Sequence, residues 1–218
     1  MTHPPRARGH ATRTANKLRR RARILDSARA IIAAEGYDAL TLSQLARRAE
    51  VTVPTIHNLL GRKSDIIEAI VGDVVTRLVA VLDAQDTAEP VRAVEAFTDA
   101  LARLYGEDEA LYKSAFVAGE RAGLFRHDAP GGIHQRSLAL ACRVCSEARA
   151  RGELRGDIAT DLLAAQAFGA QRLARLDWVS GYIDLPTYVR RTRNGIFIAL
   201  ASDATPAFRA RLLRQIAA

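Results

Sequence analysis

Apolar side chains recur every three or four residues along most of the chain after residue 23, and no segment shows the apolar and polar alternation of a half-buried strand. One long series runs from Lys63 to Leu82. Positions three and four apart lie on one face of a helix, so each series gives a helix with an apolar stripe that packs against other helices. The pattern predicts an all-α fold.

Glycine, proline and capping residues divide this pattern into separate helices. The first helix is predicted to end at Gly36, the second to begin after Thr41, and the third to begin after Thr52. The long helix from Lys63 to Leu82 follows. The remaining helices are predicted at about 90–105, 108–121, 133–151, 157–180, 185–201 and 206–216. Eleven of the twelve aromatic residues follow residue 90, so the bulky core is expected in a larger C-terminal helical bundle.

The basic residues are concentrated in the first third of the chain. Residues 1–65 contain 13 Lys and Arg against 5 Asp and Glu, whereas residues 66–218 contain 19 against 19. The whole net charge of +8 therefore lies before residue 66. Because 29 of the 32 basic residues are Arg, the distribution of charge carries the inference and the abundance of arginine does not. A localised basic field of this kind favours a polyanionic partner, either nucleic acid or an anionic membrane surface.

Several classes of protein do not fit the sequence. No run of about 18 uncharged apolar residues is present, and the first 23 residues lack the apolar stretch of a secretory signal. We therefore expect a cytoplasmic protein that does not enter a membrane. Cys142 and Cys145 are too few for a disulfide framework and lie in a helical pattern. We expect both thiols to be reduced and to pack in the core.

Residues 41–60 have the pattern of two short helices joined by a tight turn. Thr41 followed three residues later by Gln44 is a capping box, which marks the start of the first short helix. A turn at Glu50 and Val51 follows, and Thr52 caps the second short helix. Such a helix-turn-helix unit binds DNA because its second helix is narrow enough to enter the major groove.

The helical wheel of the second short helix separates an apolar side from a small polar side. Val53, Ile56, Leu59 and Leu60 gather on the apolar side, and Pro54 and Asn58 lie outermost on the other. Asn58 is suited to pair with an adenine edge, and the Pro54 ring is suited to contact a thymine methyl. Lys63 and the free N–H groups that begin the next helix form a potential phosphate site. The predicted DNA-contacting residues are Thr41, Ser43, Thr52, Val53, Pro54, Thr55, His57, Asn58 and Lys63.

The segment ILDSARAIIAAEGYDALTLSQLARRAEVTVPTIHNLLGRKSDIIEAI, from about residue 24 to residue 70, resembles the DNA-binding domain of the tetracycline-repressor (TetR) family of bacterial regulators. The likeness lies in the Gly-aromatic pair, the Thr cap, the Leu-Ala pair, the Val-Thr-x-x-Thr motif and the Lys that begins helix four. The sequence departs from the family pattern at four positions. Glu50 replaces the commoner Gly, His57 replaces a phosphate-contacting Tyr, Leu60 replaces an aromatic residue, and Arg62 replaces a small cap.

This resemblance implies a homodimer with an effector pocket. The segment LARLDWVSGYIDLPTYVRRTRNGIFIAL is similar to the last two family helices, which form a four-helix bundle between two copies. The residues expected at this interface are Trp178, Tyr182, Tyr188 and Phe197. The family pocket lies among the middle helices, about residues 90–180 here. Aromatic residues at helical spacing more often fill a core, and the candidate lining residues here are Phe97, Tyr105, Tyr112, Phe116 and Phe168.

The predicted organisation is a mobile basic tail over 1–17, a helix-turn-helix DNA-binding domain over 18–65, and a helical ligand-binding and dimerisation domain over 66–218. We expect no cofactor, metal site or catalytic residues, because no serine elbow, His-Glu zinc pair or glycine-rich phosphate loop occurs. The favoured function is a repressor that a small molecule releases from a palindromic operator on double-stranded DNA. A nonspecific architectural DNA-binding protein and an all-helical enzyme remain alternatives.

Overall fold

The computed structural model describes residues 7–84, 89–128 and 131–217. Within these ranges the chain forms ten α-helices and no strand, and a β-bridge joins Leu154 to Ala204. The helices are α1 (Ala7–Glu35), α2 (Leu42–Arg48), α3 (Val53–Leu59), α4 (Lys63–Ala84), α5 (Pro90–Glu107), α6 (Glu109–Arg121), α7 (Ile133–Ala150), α8 (Thr160–Val179), α9 (Leu185–Ala201) and α10 (Pro206–Ala217). The prediction of an all-α fold is confirmed.

The first helix is longer than the sequence pattern predicted. Residues 7–17 were expected to form part of an irregular tail, but α1 already begins at Ala7, while residues 1–6 lie outside the described ranges. The segment is rich in Ala, Arg and Lys, which are strong helix formers, and it contains no proline. The missing apolar stripe therefore did not exclude a helix here. Lys17, Arg19 and Arg20 are exposed along it.

A glycine turn ends α1, and a threonine cap begins α2. Gly36 has a φ of 80°, a left-handed conformation that glycine adopts without strain, and its N–H donates to the Ile32 carbonyl at 3.0 Å to end α1. Thr41 Oγ1 accepts from the Gln44 backbone N–H at 3.1 Å. The Gln44 side chain does not complete the predicted capping box. It donates to the Glu35 carboxylate at 3.1 Å and so ties α2 to the end of α1.

One hydrophobic cluster runs without interruption from the N-terminal helices into the larger bundle. It joins Ile24 and Ile56 to Ile66 and Ile67 of α4, and it extends to Leu101 in α5. The predicted domain boundary after residue 65 thus falls inside a helix whose first turns pack in the N-terminal core. α4 is therefore part of both regions.

The C-terminal helices enclose a second cluster and pack closely. Phe197, Leu200, Phe208 and Leu212 are buried in it. The tightest approach is between α8 and α9, where a Cβ on Gly195 would lie 2.5 Å from the Cβ of Ala170. No helix in the described ranges is both long and apolar enough to span a bilayer.

Candidate nucleic-acid interface and effector cavity

The third helix is anchored by its apolar side and turns its polar side to solvent. Ile56 is fully buried, and Val53 and Leu59 pack against the same core. Pro54 and Asn58 are exposed on the opposite side, and His57 is exposed beside them. The orientation that the helical wheel predicted is the one observed. Val53 contributes mainly to the anchoring side, because it is half-buried against the core.

The capping residues of α2 and α3 lie at the exposed N-terminal ends of these helices. Thr52 Oγ1 accepts from the Thr55 N–H at 3.3 Å, and the two hydroxyls are 2.9 Å apart. Thr41 and Ser43 are both exposed at the start of α2. Free hydroxyls and N–H groups at helix N-termini are typical phosphate-contacting groups.

Lys63 is held against the loop that follows α1. Its Nζ lies 4.0 Å from the centroid of the Tyr37 ring and 3.5 Å from the Asp38 carbonyl oxygen, to which it donates. Partial burial lowers the pKa of Lys63, and the nearby Asp38 carboxylate opposes this change. A cation over an aromatic face is fixed in direction but keeps other N–H bonds free. The ammonium is therefore held in place at the start of α4.

The start of α4 carries its own carboxylate cap. Asp65 Oδ2 accepts from the Arg62 backbone N–H at 2.7 Å. Gly61 precedes this cap with a φ of 92°, and a Cβ at Gly61 would collide with the Asp65 carboxylate. Asp65 therefore occupies one of the backbone N–H groups that were expected to be free for phosphate, while the Arg62 side chain beside it is exposed.

Glu50 occupies a strained position in the turn between α2 and α3. Its φ is 51°, and it is the single non-glycine residue in the described ranges with a positive φ. The left-handed region costs an L-residue roughly 1–2 kcal/mol. Arg23 stabilises the turn by donating to the Glu50 carbonyl at 3.4 Å and by an exposed ion pair at 3.7 Å.

A narrow apolar cavity of about 70 Å³ lies inside the larger bundle. Four of its wall residues belong to α4, and the others come from α5, α6, α7, α8 and α9. The α4 residues are Val71, Val74, Val75 and Leu78. Ligand pockets are usually several hundred Å³, roughly 300 or more. A ligand that enters this cavity must move its walls, and α4 is one of them.

Four of the five aromatic residues predicted to line a pocket are found in the cavity wall. They are Phe97, Tyr105, Phe116 and Phe168. Tyr112 is not part of the wall. Its ring packs 5.2 Å from that of Tyr105, and it belongs to the buried core.

Two polar residues of the cavity wall, Gln171 and Arg175, were not predicted from the sequence and are buried on the inner face of α8. The signal was present in the sequence. Both residues fall within the helical series of buried positions that includes Ala167, Ala174 and Trp178. A glutamine and an arginine inside an apolar stripe are unusual enough to indicate a specific role.

Three of the four residues expected at a dimer interface are buried within the single chain. Trp178 stacks on Tyr105 and Tyr188 at centroid distances of 5.0 and 5.3 Å, and Phe197 lies in the second cluster. Large aromatic rings fill the space between helices of one subunit, so their helical spacing indicated a core and not a surface. Tyr182 is the exception, with 80% of its surface exposed.

Both cysteines are free thiols, as expected. Cys145 lines the cavity, and burial raises its pKa to about 12, with a further contribution from Cys142. The Cys145 thiol is therefore an apolar wall residue at neutral pH and not a nucleophile.

Comparison with known proteins agrees with the geometry of the N-terminal helices. Residues 24–70 match the family described as bacterial regulatory proteins, tetR family. No curated protein sequence matches the chain. Among solved structures, the fold is similar to that of a TetR transcription regulator from Haloarcula marismortui, with a TM-score of 0.68 and 15% identity over 85% of this chain and 98% of that one.

Two further structures share the fold. A gamma-butyrolactone receptor described as an ArpA-like protein has a TM-score of 0.61 and 20% identity, over 93% of this chain and 96% of the receptor. The fatty acid degradation regulator FadR from Bacillus halodurans has a TM-score of 0.59 and 17% identity, over 83% of this chain and 94% of that one. Residues 24–70 thus match the bacterial regulatory proteins of the tetR family, and the chain shares its fold with solved TetR-family regulators.

Proposed function

We propose that the protein is a homodimeric transcriptional repressor, which binds a palindromic operator through one α3 helix per half-site and is released by a small-molecule effector. The observation that carries this proposal is the orientation of α3. Its apolar side packs in the core, while Pro54 and Asn58 are exposed in the basic third of the chain.

The chemistry of the side chains indicates which residues contact bases and which contact phosphates. Asn58 pairs with an adenine edge, and Pro54 contacts a thymine methyl. Thr41, Ser43, Thr52, Thr55, His57 and Lys63 are the proposed contacts to phosphates and neighbouring bases. Arginine and lysine contacts to phosphate supply most of the affinity, and each makes the salt dependence steeper by about 0.9 log units per log unit of salt.

The proposed dimer interface is the exposed apolar side of α8. Leu162, Leu173 and Leu176 lie there, and two further exposed apolar residues are Tyr182, just after α8, and Ile198, in α9. Large aliphatic side chains arranged along one helix face are typical of an interface between subunits. Two subunits joined in this way would place their α3 helices about 34 Å apart or slightly more, which is one turn of DNA.

The effector is proposed to act through α4. The cavity is too small for most ligands, and α4 provides four of its wall residues. Because the first turns of the same helix pack against the N-terminal core, a ligand that pushes α4 changes the separation of the two α3 helices. A coupling of about 1–3 kcal/mol, on the order of 5- to 150-fold in affinity, is usual for allostery. The fold shared with a gamma-butyrolactone receptor supports an effector-controlled regulator.

The proposal is tested by selecting fragments of the source genome that the full-length protein retains, and by measuring each fragment in a mobility shift against random DNA. We expect a palindromic site that binds on the order of 10³-fold or more tightly than random sequence. Equal affinity for the selected and the random DNA would instead identify a nonspecific architectural protein. Substrate turnover by the purified protein would favour the alternative of an enzyme.

A further inference from the structure

Arg175 is the one charged residue in the wall of this cavity. This residue is only 7% exposed, and its guanidinium lies 4.7 Å from the Phe116 ring centroid and 4.5 Å from that of Phe125. Its ion pair in the described part of the chain is with Glu120, at 3.8 Å, which is longer than a hydrogen bond. Arginine does not lose its charge in proteins, and a buried charge without close hydrogen bonds is costly.

Gln171 supplies a second unsatisfied group beside Arg175. It is also 7% exposed, and its Nε2 donates to the Tyr188 hydroxyl at 2.8 Å. Its Oε1 is buried and has no hydrogen-bond partner within the described residues. Most buried polar atoms in native proteins are satisfied, so an open acceptor in a cavity wall indicates a missing donor. Residues four apart on a helix are neighbours, which places both groups at the same end of the cavity.

Apart from Ser137 and Tyr105, the rest of the cavity wall is apolar. Val71, Val75 and Leu78 of α4 face Leu140 of α7 and Ile196 of α9. A ligand that fits this site therefore has a long apolar body and one polar head. The head must provide an anion for the guanidinium and a hydrogen-bond donor for the glutamine oxygen.

We propose that the effector is an aliphatic carboxylate, bound with its carboxylate on Arg175, its hydrocarbon chain along α4, and a hydroxyl group close to the carboxylate donating to Gln171 Oε1. This inference rests on the proposed function, since it names the ligand class of the regulatory cavity. A carboxylate matches the planar donor fork of arginine and accepts two hydrogen bonds from it.

The first test measures binding of octanoate, methyl octanoate and octylamine to the full-length protein by calorimetry. Fluorescence gives an independent reading, because Trp178 is the single tryptophan and stacks on the cavity residue Tyr105. We expect octanoate to bind on the order of 10- to 100-fold more tightly than the ester, the usual range for a hydrogen bond to a charged group, and octylamine not to bind. Equal binding of the three compounds would overturn the inference.

The second test compares Arg175→Met with Arg172→Met. Arg172 lies on the same helix and pairs with the same Glu120, at 3.9 Å, but it does not line the cavity. We expect R175M to bind octanoate and its ester equally, and R172M to keep the preference of the parent protein. Loss of the preference in both variants, or in neither, would contradict the role of Arg175. The comparison of octanoate with its ester in the parent protein stays decisive if R175M does not fold.

The third test concerns the hydroxyl group. We expect 3-hydroxyoctanoate to bind more tightly than octanoate, and the difference to disappear in Gln171→Leu. Equal affinity of the two acids for the parent protein would show that Gln171 does not bind a hydroxyl group of the ligand.

These binding measurements contain no DNA, so they are independent of the operator hypothesis. Octanoate binding without release of a selected operator would leave the site standing and would contradict the proposed regulation. Operator binding by a protein that binds none of the acids would leave the DNA-binding function standing and would contradict the ligand class proposed here.

Discussion

The proposed DNA-contacting residues are of two kinds. Some, on the exposed side of α3, distinguish one base from another, and others bind DNA of any sequence. The orientation of α3 could be predicted from the sequence, because one buried residue, Ile56, fixes the helix on the core. The contacts of Lys63 could not be predicted in this way. Its cation–π contact with Tyr37 joins residues that are 26 positions apart, and only the fold brings them together.

Replacing Asn58 and Lys63 separately tests this division. We expect Asn58→Ala to lose about 1–3 kcal/mol of discrimination at one base pair, because the adenine edge loses its bidentate partner. Lys63→Ala is expected to weaken binding to every sequence evenly and to reduce the salt slope by about 1. Both are measured by mobility shift over a range of salt. Thermal melting of each variant controls for stability, since Lys63 also contacts Tyr37. Identical behaviour of the two variants would show that the division is wrong.

Glu50 gives a prediction about stability. Replacement by glycine should stabilise the folded protein by about 1 kcal/mol, because glycine adopts a φ of 51° without the steric cost that glutamate has. Chemical denaturation measures the change in free energy of unfolding. Glu50→Ala is the matched control, since it removes the same carboxylate but keeps an L-residue at the strained position, and it should bring no gain. Equal stabilisation by both variants would assign the effect to charge and not to backbone strain.

At the scale of the elements, the helices after residue 36 were predictable because glycine, proline and capping residues mark their ends. The two places where the prediction differed have physical reasons. The start of α1 lacks an apolar stripe, yet six of the eleven residues 7–17 are the strong helix formers Ala, Arg and Lys, and the rings of Trp178 and Tyr188 fill the subunit interior. Periodicity reports which residues share a face. It does not report whether that face meets the same chain or another copy.

The contact between α8 and α9 depends on a small residue. Gly195→Ala should destabilise the protein by about 1–3 kcal/mol, because the new Cβ would lie 2.5 Å from Ala170 Cβ and force the helices apart. Gly106→Ala in α5 is the control. There the new Cβ would meet Leu185 at an ordinary 3.8 Å, and the better helix propensity of alanine should give a small gain of about 0.5–1 kcal/mol. Denaturant unfolding compares the two variants. A neutral Gly195→Ala would show that α8 and α9 tolerate a wider separation.

At the scale of the whole molecule, the proposed regulation depends on two features. One is that α4 belongs to both the N-terminal region and the larger bundle, and the other is that the dimer fixes the distance between its two α3 helices. The sequence could locate the DNA-binding domain and the region of the cavity, because both leave patterns within single helices. The residue proposed to bind the head group of the ligand could not be predicted, because the role of Arg175 becomes visible only when its partners are known. These partners are two aromatic rings, from α6 and the loop after it, and a carboxylate beyond hydrogen-bond distance.

The exposed side of α8 gives the last prediction. Leu176→Glu should convert the dimer to a monomer, because a carboxylate buried at the centre of an apolar interface loses its hydration without gaining a partner. Leu18→Glu on α1 is the control, since Leu18 is exposed to a similar extent, at 62% against 55%, and lies outside the C-terminal helices. Light scattering after size exclusion gives the mass of each variant. We expect L176E to elute as a monomer and to lose operator affinity steeply, because a single α3 helix reads only one half-site, while L18E stays dimeric. A dimeric L176E that keeps its operator affinity would place the interface elsewhere on the molecule and would leave the leucines of α8 without a role in spacing the recognition helices.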